Sequence, residues 1–409
     1  MRSIGWPTLS ADLQAIDQQP RRTASRRGRY VAVAALLLAA VNLRLAVTSV
    51  GPLLTEIRTG TGMSSTVAGL LASVPVICFA SVGLAAPRLA RRFGPDRVVL
   101  GGLVLLTVGL AGRPSGGTAT FLALSVVALA GIAVVNVLLP MVVKERFGDR
   151  VGPMTGVYSL ALNLGATVGA ASSVPLTGAL GGDWRWGLAS WALVAAVALP
   201  PWLALAKDRP GYEDPAAPDS RVRVSRHPVA WALAAYFGLQ STSAYVIIGW
   251  LPQIYRDAGL SAEKAGLLFA VTSLLSVPLP LALSALTVRW RSQSGIAAAL
   301  GLFGIAGYAG LWASPAAAPW LWAALLGVAN CAFPLVLTMI ALRGRTPATV
   351  VRLSAFAQSA GYVLAIPGPI LIGVLHDHTG GWRIPMAFMV ALVVPQIIAG
   401  IVAGRDRQV

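Results

Sequence analysis

Long apolar runs broken by short basic or polar segments pattern the whole chain. A helix that crosses a bilayer needs about 20 mostly apolar residues. Twelve runs approach that length: 30–57, 64–87, 98–113, 119–143, 153–180, 184–206, 229–255, 262–288, 295–313, 317–342, 352–375 and 383–404. The run at 295–313 is short and glycine-rich, and the longest runs leave room for tilt. The longest polar break, residues 207–228, divides the runs into two sets of six.

The two sets repeat one another. GMSSTVAGLL (62–71) matches GLSAEKAGLL (259–268) at an offset of 197, NVLLP (136–140) matches NCAFP (330–334) at 194, and GDWR (182–185) matches GGWR (380–383) at 198. A repeat of an even number of spans keeps its orientation, so the halves are parallel and related by an axis along the membrane normal. The expected architecture is an all-α membrane protein of twelve helices. Residues 1–29 form a polar tail, 30–206 and 229–404 two six-helix bundles, 207–228 their linker, and 405–409 a second tail. The first 29 residues lack the apolar core of a signal peptide and read as a disordered tail.

Charge placement supports this topology. Of the 32 Lys and Arg, twenty-five fall in tails and loops on one face. Arg58, Arg113, Arg185, Arg256, Lys264 and Arg383 fall toward the other, and Arg44 is the remaining one. By the positive-inside rule both termini are cytoplasmic and the cell membrane is the expected location. The net charge of +17 is then a matter of topology and anionic lipid, with no nucleic-acid partner implied.

Composition agrees: 56% hydrophobic residues, only 11% charged, and a mean hydropathy of +0.72. Loops are short, which leaves no room for a catalytic domain, so a membrane enzyme or sensor is disfavoured. Cys78 and Cys331 sit in apolar runs and read as small core residues. Three histidines show no metal-ligand spacing, and no cofactor or metal is expected. His376 and His378, in LHDHTGG near the end of the eleventh span, read first as solvated loop residues and second as a proton relay.

Candidate chemistry centres on Arg44, in VNLRLAVTSVGPLL (41–54). It lies about 21 Å along the first span from Tyr30. All fifteen carboxylates lie in loops, tails or span ends, and guanidinium does not deprotonate. Two readings are open. Arg44 caps backbone carbonyls or snorkels to the interface; or it binds an anion in a central cavity, where its planar fork suits a carboxylate or another flat anion. Thr48 shares its helix face at i+4. The repeat places Ser241, within FGLQSTSAY (237–245), opposite Arg44, and with it Gln240 and Tyr245. Asn136 pairs with Asn330, and Asn163 with Gln358. Each amide reads either as a substrate contact or as glue between helices. Pro140, Pro334 and the VPLTG and IPGPILIG runs are candidate bends.

APRLARRFGPDR (86–97) resembles the loop motif of the major facilitator superfamily, G-x-L-a-D-R-x-G-R-R, with Arg91 in place of Asp and Pro87 in place of Gly. NLRLAVTSVGPLL, GIAVVNVLLPMVVKERF (131–147) and MTGVYS (154–159) look like the cyanate and 2-nitroimidazole permease (CynX/NimT) branch, with Leu45 in place of a proline. The resemblance runs from about residue 38 to 400. It implies a secondary transporter that alternates between inward-open and outward-open states. It implies a cavity lined by the first, fourth, seventh and tenth spans, and a gating loop of Arg88, Arg91, Arg92, Gly94 and Arg97. The expected cargo is a small anionic or polar organic solute, with a coupling proton as a further candidate and a monomer in lipid as the working unit. The alternative is toxic-compound efflux by the same fold. The fifth span lacks the contiguous G-P-x-x-G-G of drug/proton antiporters, which weighs against it.

Overall fold

The structure is a computed structural model that describes residues 26–147, 150–207, 224–275, 279 and 292–406. The described residues form helices and turns, with no strand among them. Among the described residues, eleven spans are long and apolar enough to cross a membrane. The eighth expected run, 262–288, is described as the helix Ala262–Leu275, and most of its remainder lies outside the described residues. So do the first tail up to residue 25, most of the linker and the last three residues.

The two halves pack by one plan. In the first, span one packs on five, two on four, and three on both four and six; in the second, seven packs on eleven, eight on ten, and nine on both ten and twelve. Such packing needs small residues where backbones meet. A Cβ on Gly165 of the fifth span collides with the Val41 carbonyl of the first, and one on Gly102 comes within 2.9 Å of the Gly131 carbonyl. Helix starts carry their own signals. Ser64 accepts from the Val67 N–H and Asp183 from the Arg185 N–H, each satisfying a first-turn donor.

Several spans bend, and the bends differ between the halves. Span one is helical over Arg26–Thr48, tightens to a 3-10 turn at Gly51–Leu53, and resumes at Leu54–Thr61. Pro52 removes a donor there. Span four runs unbroken over Thr118–Phe147 through Pro140. Its counterpart, span ten, is interrupted at Asn330–Cys331 between Pro319–Ala329 and Ala332–Arg343. Span five is continuous through Pro175, whereas span eleven breaks at Ile366, between Pro347–Ala365 and Pro367–Thr379. Of the expected bends, those in the second half are therefore breaks in the helix, and those in the first are carried within it.

The halves meet most closely on the face away from the chain termini, called here the far face. Span two packs on the outer part of span eleven, span five on Ala262–Leu275, and span seven on the Gly51–Leu53 turn. Cβ atoms on Gly69 and Gly51 would come within 2.5 Å of the Pro369 carbonyl and 2.7 Å of the Ile248 carbonyl.

Candidate solute site and gates

Arg44 is half-buried, and its guanidinium makes no hydrogen bond or ion pair with a described residue. Its charge reaches two phenols of the other half, Tyr245 on span seven and Tyr362 on span eleven. Around them stands an aromatic wall. Phe79 stacks on Tyr362 at 5.4 Å, Phe237 meets Tyr362 edge-on at 4.9 Å, and Phe333 lies 5.4 Å from Phe237. Tyr245 packs with Val76 and Ala365. A free cation thus faces aromatic rings across the interface between the halves. Tyr362 and Phe79 did not stand out in the sequence, because an aromatic in an apolar run has the pattern of any core residue.

The other expected site residues divide into two groups. Asn136 is exposed and donates to no described side chain or carbonyl; Asn330 is half-buried and accepts from Gln240 at 3.2 Å. Gln240 in turn accepts from Gln396 at 2.7 Å, so the three amides tie spans seven, ten and twelve together. Asn163 donates to the Ser159 carbonyl and Gln358 to the Ser354 hydroxyl, both within their own helices. Thr48 lies on the face expected for it but is buried. Its hydroxyl bonds the Arg44 and Ala166 carbonyls between spans one and five. Ser241 is fully buried with its hydroxyl unpartnered. The repeat position of Arg44 is therefore sealed inside the second half, because a serine there can be packed away where an arginine cannot.

The far-face gate is built of charge and helix ends. Asp377 of span eleven accepts from the backbone N–H of Ser65 and Thr66, at 3.1 and 2.7 Å, and from the Thr66 hydroxyl at 2.7 Å. It caps the start of span two, where unpaired donors and the helix dipole favour a carboxylate. Arg256 pairs with Glu56 at 2.6 Å, Thr55 donates to Gln253 at 2.7 Å, and deeper in, Ser73 donates to the Ile366 carbonyl at 2.9 Å. His376 departs from the solvated-loop expectation. It lies within the helix Pro367–Thr379, bonds the Ser65 hydroxyl at 3.1 Å, sits 3.9 Å from Asp257, and packs 4.4 Å from the Trp382 ring. His378, two residues on, is exposed as expected.

On the terminal face the charged clusters bind each half to itself. Arg146, at the end of span four, forks onto Asp96 with both Nε and Nη2 and also reaches the Leu205 carbonyl at 3.3 Å. Asp96 belongs to the 86–97 loop that the sequence singled out, but its arginines do other things. Arg88, Arg91 and Arg97 are exposed, Arg97 donating to the Ala206 carbonyl at 3.4 Å, and Arg92 lies 5.2 Å over the Phe93 ring. Gly94, with φ of 87°, turns the chain between spans two and three. The loop's working carboxylate is thus Asp96 rather than the usual motif position, which Arg91 fills. Its partner lies 50 residues away, so spacing alone does not reveal it.

Paired parallel helical halves, fastened to each other at the far face and with a cation between them, suit a rocking solute carrier. The Major Facilitator Superfamily family model matches residues 36–366. The chain belongs to that superfamily. It is also 35% identical to the 2-nitroimidazole transporter of Escherichia coli (strain K12) over 395 residues, 94% of this chain and 98% of that one. The cyanate transport protein CynX of the same organism is 34% identical over 369 residues, 89% of this chain and 94% of that one. These two place the chain in the branch that its first span resembled. Among solved structures, a bacterial homolog of the human lysosomal transporter Spinster, in an inward-facing and unoccupied conformation, superposes with a TM-score of 0.73 at 17% identity, covering 94% and 99% of the two chains. That likeness supports the fold. As a superfamily transporter, the protein is a multi-pass membrane carrier that moves a small solute by alternating access.

Proposed function

We propose that the solute is a small, flat, monovalent anion, bound by Arg44 against the aromatic wall of Phe79, Tyr245 and Tyr362. The observation that carries this is the state of Arg44: half-buried at mid-span, with its guanidinium bonded to no described residue. An unpaired cation inside a membrane protein is expensive, and a fork of donors beside ring faces suits a planar anion or nitro group. The relatives' names, cyanate and 2-nitroimidazole, fit that class. Asn136 and Asn330 are proposed to orient the bound solute, one from each half.

The terminal face is proposed to be cytoplasmic, on the strength of the Lys and Arg placement. With the far gate fastened, the conformation described is then inward-facing. A coupling proton has a candidate carrier in His376, and a single chain is the proposed working unit. The test is a thermal-shift screen of purified protein with cyanate, 2-nitroimidazole and small carboxylates, repeated on Arg44→Ala. A ligand that stabilises the wild type and loses its effect in the variant supports the reading. Equal shifts in both sink it.

A further inference from the structure

The outer end of span three holds a second cation, Arg113, which the sequence places toward this face and the fold buries. Arg113 is 3% exposed. Its Nη1 reaches the Ala46 carbonyl at 3.5 Å, and its guanidinium lies 5.8 Å from the centre of the Phe121 ring. Those contacts leave Nε and Nη2 buried without an acceptor. Ser125, on span four, is 1% exposed, and its hydroxyl is also unpartnered. Both residues line one cavity of about 40 Å³, shared with Val47, Gly51, Ala72 and Ile248. One water needs about 10–15 Å³ on this measure, so the space holds an ion or molecule of two to four heavy atoms.

Position gives the cavity meaning. Val47 follows Arg44 at i+3 on the helix and Gly51 opens the turn beyond it, so the cavity lies outward of Arg44 along span one. The bend at Gly51–Leu53 borders it, and irregular backbone at membrane depth belongs beside a cavity. One wall, Ile248 and Gly249, comes from the other half. A Cβ on Gly249 would come within 2.6 Å of that of Ala72. With the far gate fastened, both halves therefore wall the chamber.

We propose that Arg113 and Ser125 form a second anion station, which takes one compact monovalent anion beneath the far gate. The anion neutralises a cation that gate closure otherwise leaves buried and unpaired, so occupancy favours the closed gate. Two sources share this chemistry: a resident halide, or the transported anion on its way past Arg44.

Thermal unfolding of the purified full chain in sodium gluconate, whose anion is too large for the cavity, tests this by titration with sodium chloride and separately with sodium cyanate. Arg44→Gln removes the central cation and isolates the second station. In that background a saturable rise in Tm of about 3 °C is expected. Adding Arg113→Gln abolishes it, and adding Ser125→Ala moves its midpoint to about fivefold higher anion. Ser125→Ala deletes a buried, unpartnered hydroxyl and leaves the fold intact, so the result stays readable if Arg113→Gln unfolds the chain. The station is overturned if Arg44→Gln shows no anion response, or if that response ignores both added substitutions. The reading of Arg44 is judged separately, by whether the wild type binds cyanate more tightly than Arg44→Gln does. Both ways in which the two anions combine support the station: cyanate competing with chloride makes it a point of transit, and cyanate without effect on chloride makes it a halide site.

Discussion

Arg146 and Arg343 stand 197 residues apart, as do Asp96 and Gln293, so each half carries the same arginine at the same place. In the first half its partner is a buried carboxylate. In the second, Arg343 bonds the Gln293 side chain and the Ala403 and Gly404 carbonyls at the end of span twelve, at 3.2 and 2.9 Å for the carbonyls. The same contrast holds at mid-depth. Arg44 of the first half faces the interface, while its repeat position, Ser241, is sealed inside the second. There Gln240, Asn330 and Gln396 hydrogen-bond in a chain, with the Gln396 Oε1 buried and unpartnered. Two bundles of one helix plan thus divide the work. The first supplies fixed charge. The second supplies most of the aromatic faces, with Phe79 of the first half beside them, a neutral amide network, and the helix breaks at Asn330 and Ile366. Carbonyls at a helix C-terminus attract an arginine as well, and the helix plan is kept with the change of partner.

This division can be broken at several points. The largest effect is expected at the centre. Arg44→Ala lowers substrate uptake by about 10–100-fold, the cost of a charge-assisted contact, while Ser241→Ala at the repeat position leaves uptake within about twofold. Uptake in vesicles, normalised to protein in the membrane, reads both. Equal losses would erase the asymmetry.

Next is the terminal-face pair. Arg146→Gln leaves Asp96 buried and unpaired, and is expected to cost about 3 kcal/mol of stability. Adding Asp96→Asn recovers much of it, because the first half then imitates the neutral second. Detergent melting curves of the single and double variants measure the recovery. At the far gate, Asp377→Asn weakens the cap on Ser65 and Thr66 by about 1–2 kcal/mol. That shifts the population toward the state open at the far gate by about 5–30-fold. Labelling of an Ala68→Cys variant by an impermeant maleimide should accelerate by that factor. The smallest effect is on stability at Ser241: removing a hydroxyl that is buried without a partner leaves the melting temperature unchanged or slightly raised.

Periodicity and charge made the spans legible, because a bilayer imposes length and apolarity on each one separately. The repeat was legible for the same reason, since GMSSTVAGLL and GLSAEKAGLL start equivalent helices. The site was legible only in part. Arg44 stood out because a mid-span cation breaks the pattern. Arg113 did not, because a cation at the end of an apolar run has the pattern of an interface anchor. Only the packing of spans one and four around it shows that it is buried. Thr48 lay on the correct helix face, yet that face is shared between the cavity and span five, and one residue's width decides between them. His376 read as a loop residue until the helix was seen to run on to Thr379.

What the sequence determined by itself is therefore what each span owes to the bilayer: helical runs, their orientation as the basic loops propose it, the two-fold repeat and one intramembrane arginine. What only the tertiary structure decided is which polar groups are already partnered. Hydrogen-bond partners here lie as far as 312 residues apart, and the free energy of a buried polar atom depends on whether that partner is present. A polar side chain is glue in Gln240, a gate in Asp377 of the far face or an unpaired cation in Arg44, according to what the fold brings within reach.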